Sequence, residues 1–224
     1  MKHLLNTTLL LITLFFACGE TKDQTSQTGQ ATEANTPFAC QEKDFESSRD
    51  WANAILEAYQ NASDSTRADQ KEWEKQLFCL FPENFDEMVT IFGSVGEEQG
   101  PLHNQGYEIV KFFGSINSIP KDIYYQKFIN ININGQWQGD NIRNGFGLTG
   151  HFESDIKNVV TALNKKTDAE IESVFRFIYD SPHPENYQSF YESVRKILVA
   201  AEDERLINLN AAAFFKLIGE GHDH

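Results

Sequence analysis

Apolar residues recur along most of the chain at intervals of three and four positions, with polar runs between the stretches. This spacing places the apolar side chains on one face of a helix. The clearest stripes are Phe45, Ala52, Ile55, Leu56 and Tyr59; Phe152, Ile156, Val159, Val160 and Leu163; Ile171, Val174, Phe175 and Ile178; and Tyr187, Phe190, Tyr191, Val194, Leu198 and Ala201. The pattern predicts an all-α fold, a single domain of about eight amphipathic helices.

Local signals place several helix ends. Thr167 followed by Glu170 has the spacing of a capping box, in which two side chains satisfy free backbone amides at a helix start. Gly93 is expected to end the helix that follows Pro82. The stretch 206–218 is apolar almost all round, which predicts a central position in the domain.

Residues 128–138 fit two structures. The apolar residues alternate with asparagines at period two and lead to Asn134-Gly135, a hairpin signal. The same stretch also continues a helical face that begins near Pro120, with Gly135 as its cap. The helix is favoured because residues 136–139 make a poor partner strand, and a short β-hairpin near 128–138 stays the alternative.

The first residues have the organisation of a secretory signal. Lys2 precedes an apolar run, residues 9–16, that is too short to cross a bilayer as a helix. Ala17-Cys18 follows. This junction resembles the lipobox of bacterial lipoproteins, although the residue types before Ala17 depart from the usual pattern.

The resemblance implies that residues 1–17 are removed and that Cys18 carries a diacylglyceryl group, which anchors the protein in the bacterial cell envelope. Gly19 after the cysteine favours the outer membrane, at its periplasmic face or at the cell surface. Cleavage after Ala17 without acylation is the alternative, and it would leave Cys18 as a free thiol.

Composition divides the remaining chain into three parts. Residues 18–36 are polar and small and contain no aromatic side chain, which predicts a flexible tether. A helical domain is expected over residues 37–219, followed by an acidic and histidine-containing tail over 220–224.

The formal net charge is −14, and loss of Lys2 with the signal makes it one unit more negative. Such a surface repels phosphate backbones, so nucleic acid is not an expected partner. A basic protein is the partner class that the charge favours. The sequence does not indicate an oligomeric state.

Acylation of Cys18 would leave Cys40 and Cys79 as the remaining cysteines. An isolated pair in an oxidising compartment predicts a disulfide, and two buried thiols are the alternative.

Acidic side chains and aromatic residues with polar groups suggest a binding surface. The candidate binding residues are Glu83, Asp86, Glu87, Glu97, Glu98, Tyr107 and Trp137. The alternative interpretation is a solvated acidic helix face, with the aromatic residues in the core.

Catalytic, cofactor and metal signals are weak. Residues 145–150 match G-x-G-x-x-G without a credible strand before them, so no cofactor is expected. His151 and His183 are candidate acid–base groups that lack an assignable partner. His222 and His224 could both reach one metal ion, but they supply too few ligands for a strong site.

These features favour a membrane-anchored, non-catalytic, protein-binding domain of the envelope. Its architecture resembles that of immunity or inhibitor lipoproteins, which neutralise an incoming effector. A periplasmic hydrolase that uses residues 145–151 is one alternative hypothesis, and a structural lipoprotein of envelope assembly is another.

Overall fold

The computed structural model describes residues 38–95, 98–136, 148–180 and 186–220. These residues form α-helices, one 3₁₀ turn and a two-residue antiparallel hairpin, so the predicted all-α domain is confirmed. The helices are α1 (Ser48–Ser63), α2 (Gln70–Leu80), α3 (Phe85–Phe92), α4 (Gly106–Phe113), α5 (Lys121–Asn132), α6 (Leu148–Leu163), α7 (Asp168–Tyr179), α8 (Tyr187–Ala200) and α9 (Glu204–Glu220). The hairpin joins β1 (Ser94–Val95) to β2 (Glu98–Gln99), and the 3₁₀ turn is His103–Gln105.

Two helix groups meet at one core. The helices α1 and α2 pack against each other, and α7, α8 and α9 form the second group. Between them, α5 contacts α3, α6 and α7. The core is rich in aromatic side chains, and its phenylalanines include Phe81 and Phe113, whose rings stack with centroids 3.8 Å apart.

The most buried helix is α5, and this explains its ambiguous sequence. Ile129 and Ile131 lie on nearly opposite sides of the helix, and both are fully buried because other helices cover both sides. A helix surrounded in this way loses its single apolar stripe. The hairpin alternative is therefore wrong over residues 128–132, whereas residues 137 and 138 lie outside the described part.

The expectation that residues 206–218 lie centrally is also wrong. The helix α9 packs on α7 and α8 but presents one side to solvent, where Phe215 is 64% and Ile218 is 54% exposed. The apolar residues of α9 thus lie partly in the core and partly on a surface that is exposed to solvent.

Predicted helix ends are largely confirmed. Thr167 and Glu170 form the capping box at the start of α7, and Gly93 is the C-terminal cap of α3. The end of α5 differs in detail, because Asn134 adopts the left-handed conformation at φ 58°. Gly135 follows where a Cβ would lie 2.5 Å from the ring of Phe177.

Within the described residues, none of the helices combines the length and the apolar character needed to cross a bilayer.

Candidate functional site

Cys40 and Cys79 form a disulfide with an S–S distance of 2.06 Å, as the sequence predicted. The bond fastens residues 38–46, which form neither helix nor strand, onto α2. We call this segment the strap. Because Cys79 is in the last turn of α2, the strap passes the C-terminal end of that helix, where backbone carbonyls lack intrahelical partners.

From Glu42 to Glu46, side chains of the strap alternate between the domain and solvent. Lys43 and Phe45 point towards the domain and are partly buried, whereas Glu42, Asp44 and Glu46 are exposed. Such alternation is the period of an extended chain. The strap therefore presents a row of three carboxylates on its outer side, and we call this row the acidic row.

Lys43 is the main polar contact of the strap. Its ammonium group donates to the Phe81 carbonyl at 2.7 Å and pairs with the Glu83 carboxylate at 3.2 Å. It also lies 5.1 Å from the ring centroid of Trp51, close enough for a cation–π interaction.

Lys127 approaches the same carbonyls from the interior. This lysine is only 5% exposed and donates to the carbonyls of Phe78 at 2.7 Å and Phe81 at 3.1 Å. Its ammonium group pairs with Glu83 at 2.7 Å. A third carbonyl, that of Leu80, accepts from the Trp51 indole. Two lysines and one tryptophan thus satisfy the carbonyls of Phe78, Leu80 and Phe81 at the end of α2.

Burial lowers the pKa of Lys127 to about 8, although the Glu83 carboxylate opposes this shift. Desolvation penalises the ammonium, while the adjacent carboxylate favours it. The lysine lies on the same face of α5 as Tyr124 and Phe128, a position that sequence reasoning did not single out. A lysine within an apolar helical stripe was the available signal.

Lys127→Met should lower the free energy of unfolding by about 1–3 kcal/mol, because the Phe78 carbonyl is left without its donor in a buried site. Urea unfolding followed by circular dichroism measures this loss. Lys75→Met is the matched control: Lys75 pairs with Glu72 at a more exposed position, so its loss should stay below about 0.5 kcal/mol. Equal effects of the two substitutions would contradict the role assigned to Lys127.

The predicted acidic residues divide into two groups. Glu83 neutralises Lys43 and Lys127, and Glu87 accepts from the Asn84 side chain and the Glu83 amide at the start of α3. These two carboxylates therefore have structural partners. Asp86 is exposed on the first turn of α3.

The other predicted binding residues are dispersed in the described part of the chain. Glu98 is exposed in β2, and Tyr107 is 40% exposed at the start of α4, with the Lys111 ammonium 5.6 Å from its ring centroid. No hydrogen bond or ion pair joins Asp86, Glu98 and Tyr107 where the structure describes them. The positions that lie outside the described residues are Cys18, Glu97, Trp137, His183, His222 and His224.

His151 lines a pocket of about 260 Å³ between the start of α5 and α6. Its Nδ1 lies 3.2 Å from the Tyr125 hydroxyl, within hydrogen-bond distance. Asp155, one helical turn after His151, pairs with Lys121 and accepts from the Asn158 side chain.

The helix α6 is kinked at Asp155, where φ is −145° and ψ is 44°. The kink and the polar network occur at the same residue, so the network holds α6 against α5 at this bend. Among the described residues that line the pocket, Asp155 is the one carboxylate near His151. Paired-acid chemistry needs two carboxyl groups across a cleft, so the described geometry gives no specific support to the hydrolase hypothesis.

Burial lowers the pKa of His151, and Asp155 partly opposes this effect. As the pH falls through about 6.5, the unfolded chain takes up the proton before the folded protein does. Stability should then decrease as the pH falls, with a slope of up to about 1.4 kcal/mol per unit. Urea unfolding between about pH 7 and pH 5 measures this slope.

The substitution His151→Gln should flatten that slope. The control His103→Gln alters a histidine outside the pocket, at the 3₁₀ turn, and should retain it. An unchanged slope in His151→Gln would assign the acid sensitivity to other groups.

Two clefts flank the strap. One, of about 470 Å³, is lined by the rings of Phe45 and Trp51 and by charged groups that include Lys43 and Glu42. The other, of about 670 Å³, lies between the strap and α2 and includes Phe38 and Leu80. Both combine apolar and charged surface.

No cluster of three potential metal ligands occurs within the described ranges.

No protein-family model, curated protein or solved structure matches the chain.

Proposed function

We propose that the protein is an envelope lipoprotein whose helical domain binds a basic protein without catalysing a reaction. Cys18 carries the lipid, residues 18–36 form the tether, and the strap provides the binding surface. The proposed role is of the immunity or inhibitor type, in which an anchored domain captures an incoming effector.

The acidic row is the observation that carries this proposal. Glu42, Asp44 and Glu46 are exposed and form no ion pair with other described residues. The three carboxylates lie within five consecutive residues of the strap, so their charges reinforce one another. Their combined potential attracts a cationic surface and accelerates its association.

The clefts beside the strap supply the second element of a protein interface. Interfaces combine apolar anchor side chains, inserted into pockets, with a charged rim that sets specificity. The Phe45 and Trp51 rings stack at 10° with centroids 6.3 Å apart and form an apolar wall directly beside the acidic row. A basic protein that carries an exposed aromatic or aliphatic side chain fits this surface.

Capture from detergent-solubilised envelope at about 0.1 M and about 0.5 M salt tests the proposal, since exposed charges are screened over this range. The test variant is Glu42→Gln, Asp44→Asn and Glu46→Gln. The control variant makes the same change in net charge elsewhere, with Glu153→Gln, Glu192→Gln and Glu202→Gln.

A basic protein retained by wild type and by the control, but lost from the test variant and at high salt, is the expected result. Equal loss from both variants would show a non-specific effect of net charge and would contradict the assigned surface. The anchor is tested separately by mass spectrometry of residue 18 and by fractionation of Cys18→Ser, which should leave the membrane fraction. An unmodified Cys18 in soluble protein would refute the anchor.

A further inference from the structure

We propose that the strap is a redox-controlled latch: reduction of the Cys40–Cys79 disulfide by an accessible dithiol releases residues 38–46 while the helices stay folded. This inference does not depend on the proposed function.

The strap has no regular secondary structure up to Phe45, and among the described residues no backbone hydrogen bond joins residues 38–46 to the rest of the domain. Fixing the backbone of each residue has an entropic cost. Backbone pairing normally offsets this cost in helices and sheets. In the strap, this entropic cost has to be offset by side-chain contacts and by the Cys40–Cys79 disulfide.

Few side-chain contacts hold the strap. Phe38 meets the edge of Phe78 at a centroid distance of 5.6 Å, and Phe45 stacks on Trp51. Lys43 makes the one polar attachment of the strap to the connection between α2 and α3 within the described residues. The side chains of the other strap residues, apart from Cys40, point to solvent, so without the disulfide we expect the ordering cost to exceed these contacts.

The helices next to the strap are also held by contacts that do not involve it. Lys127 continues to satisfy the Phe78 and Phe81 carbonyls, and the Trp51 indole continues to satisfy the Leu80 carbonyl. The packing of α1 on α2 does not involve the strap. Release of the strap therefore exposes the surface beneath it, while the Phe78, Leu80 and Phe81 carbonyls keep their donors.

The disulfide is open to a reductant, because Cys40 is exposed and Cys79 is partly buried. A thiolate of the dithiol attacks the Cys40 sulfur, forms a mixed disulfide and expels the Cys79 thiolate, which takes a proton from water. The second thiolate of the dithiol then attacks the dithiol's first sulfur, which is bonded to Cys40 in the mixed disulfide, and expels the Cys40 thiolate. Two electrons pass to the protein, and the dithiol becomes a disulfide.

Limited trypsin digestion of the full chain, with and without dithiothreitol, tests the latch. Lys43 is a cleavage site whose side chain is clamped in the oxidised protein. Lys71 in α2 and Lys196 in α8 are internal controls within helices. The double variant Cys40→Ser and Cys79→Ser mimics the reduced protein, and circular dichroism reports the helices.

We expect reduction to accelerate cleavage after Lys43 by roughly tenfold or more, because proteolysis follows the open population. Cleavage after Lys71 and Lys196 and the helical signal should not change, and the double variant should be cleaved rapidly with or without the dithiol. An unchanged rate at Lys43 would show that the side chains alone hold the strap. Parallel acceleration at all three sites would show global unfolding. Either result would overturn the latch.

Discussion

Replacing both Cys40 and Cys79 with serine is expected to lower the free energy of unfolding by up to about 4 kcal/mol. The bond spans 39 residues, and the value follows from the chain entropy that a cross-link of this length removes from the unfolded state. It is an upper limit, because any freedom that the strap recovers in the folded state offsets part of the loss.

Urea unfolding of the double variant and of oxidised wild type, followed in the far ultraviolet, measures this difference. Addition of dithiothreitol to wild type should reproduce the shift and should have no effect on the double variant. The dependence on urea should also steepen, since the unfolded chain without the cross-link exposes more surface. A loss below about 1 kcal/mol would mean that the cross-link contributes little to the stability of the domain.

The second large effect is expected at alkaline pH. Burial raises the pKa of Tyr124, Tyr125 and Tyr179 well above the ordinary value of 10.0. Tyr124 and Tyr179 are 4% and 0% exposed; the Tyr124 hydroxyl donates to the Phe113 carbonyl and that of Tyr179 to Asn210. Each hydroxyl stays protonated in the folded protein under conditions where it ionises in the unfolded chain.

Above pH 10 the folded state therefore binds more protons than the unfolded state, and stability falls as the pH rises. Each tyrosine contributes a slope of up to about 1.4 kcal/mol per pH unit, so the three together approach about 4 kcal/mol per unit. Lys127 acts in the opposite direction between its folded-state pKa of about 8 and its unfolded-state pKa of 10.5. Stability should accordingly rise by up to about 1.4 kcal/mol per unit between about pH 8 and pH 10 and then fall steeply.

Urea unfolding at increasing pH, together with tyrosinate absorbance, tests this profile. Tyr179→Phe should remove about a third of the slope above pH 10, whereas Tyr107→Phe alters an exposed ring and should leave the slope unchanged. The comparison uses the slope of stability against pH, because Tyr179→Phe also removes the hydrogen bond to Asn210 and so changes the stability itself. Gradual ionisation of all tyrosines without loss of helical structure would contradict the prediction.

Local features of the sequence predicted most helices, because their signals lie within one turn. The capping box of Thr167 and Glu170 needs only neighbouring residues, and so does the end of α3 at Gly93. The disulfide could be predicted from the cysteine count and the expected compartment. Such features do not depend on how the helices pack.

The burial of α5 and the site around Lys127 could not be predicted in the same way. Whether Ile129 and Ile131 lie in a strand or on opposite sides of a buried helix depends on helices distant in sequence. Lys127 meets carbonyls 46 and 49 residues away. The acidic row could have been predicted from the sequence, because Glu42, Asp44 and Glu46 alternate with inward-facing residues. The search for helical periodicity missed this period-two pattern.

The position of the disulfide also determines how the domain bears mechanical load. Tension that enters the chain ahead of residue 38 reaches Cys40 and passes through sulfur to Cys79. The intervening backbone, which includes all of α1 and nearly all of α2, lies outside this path. A domain pulled from its N-terminal side is therefore loaded at the end of α2, and α1 cannot unfold first while the bond is intact.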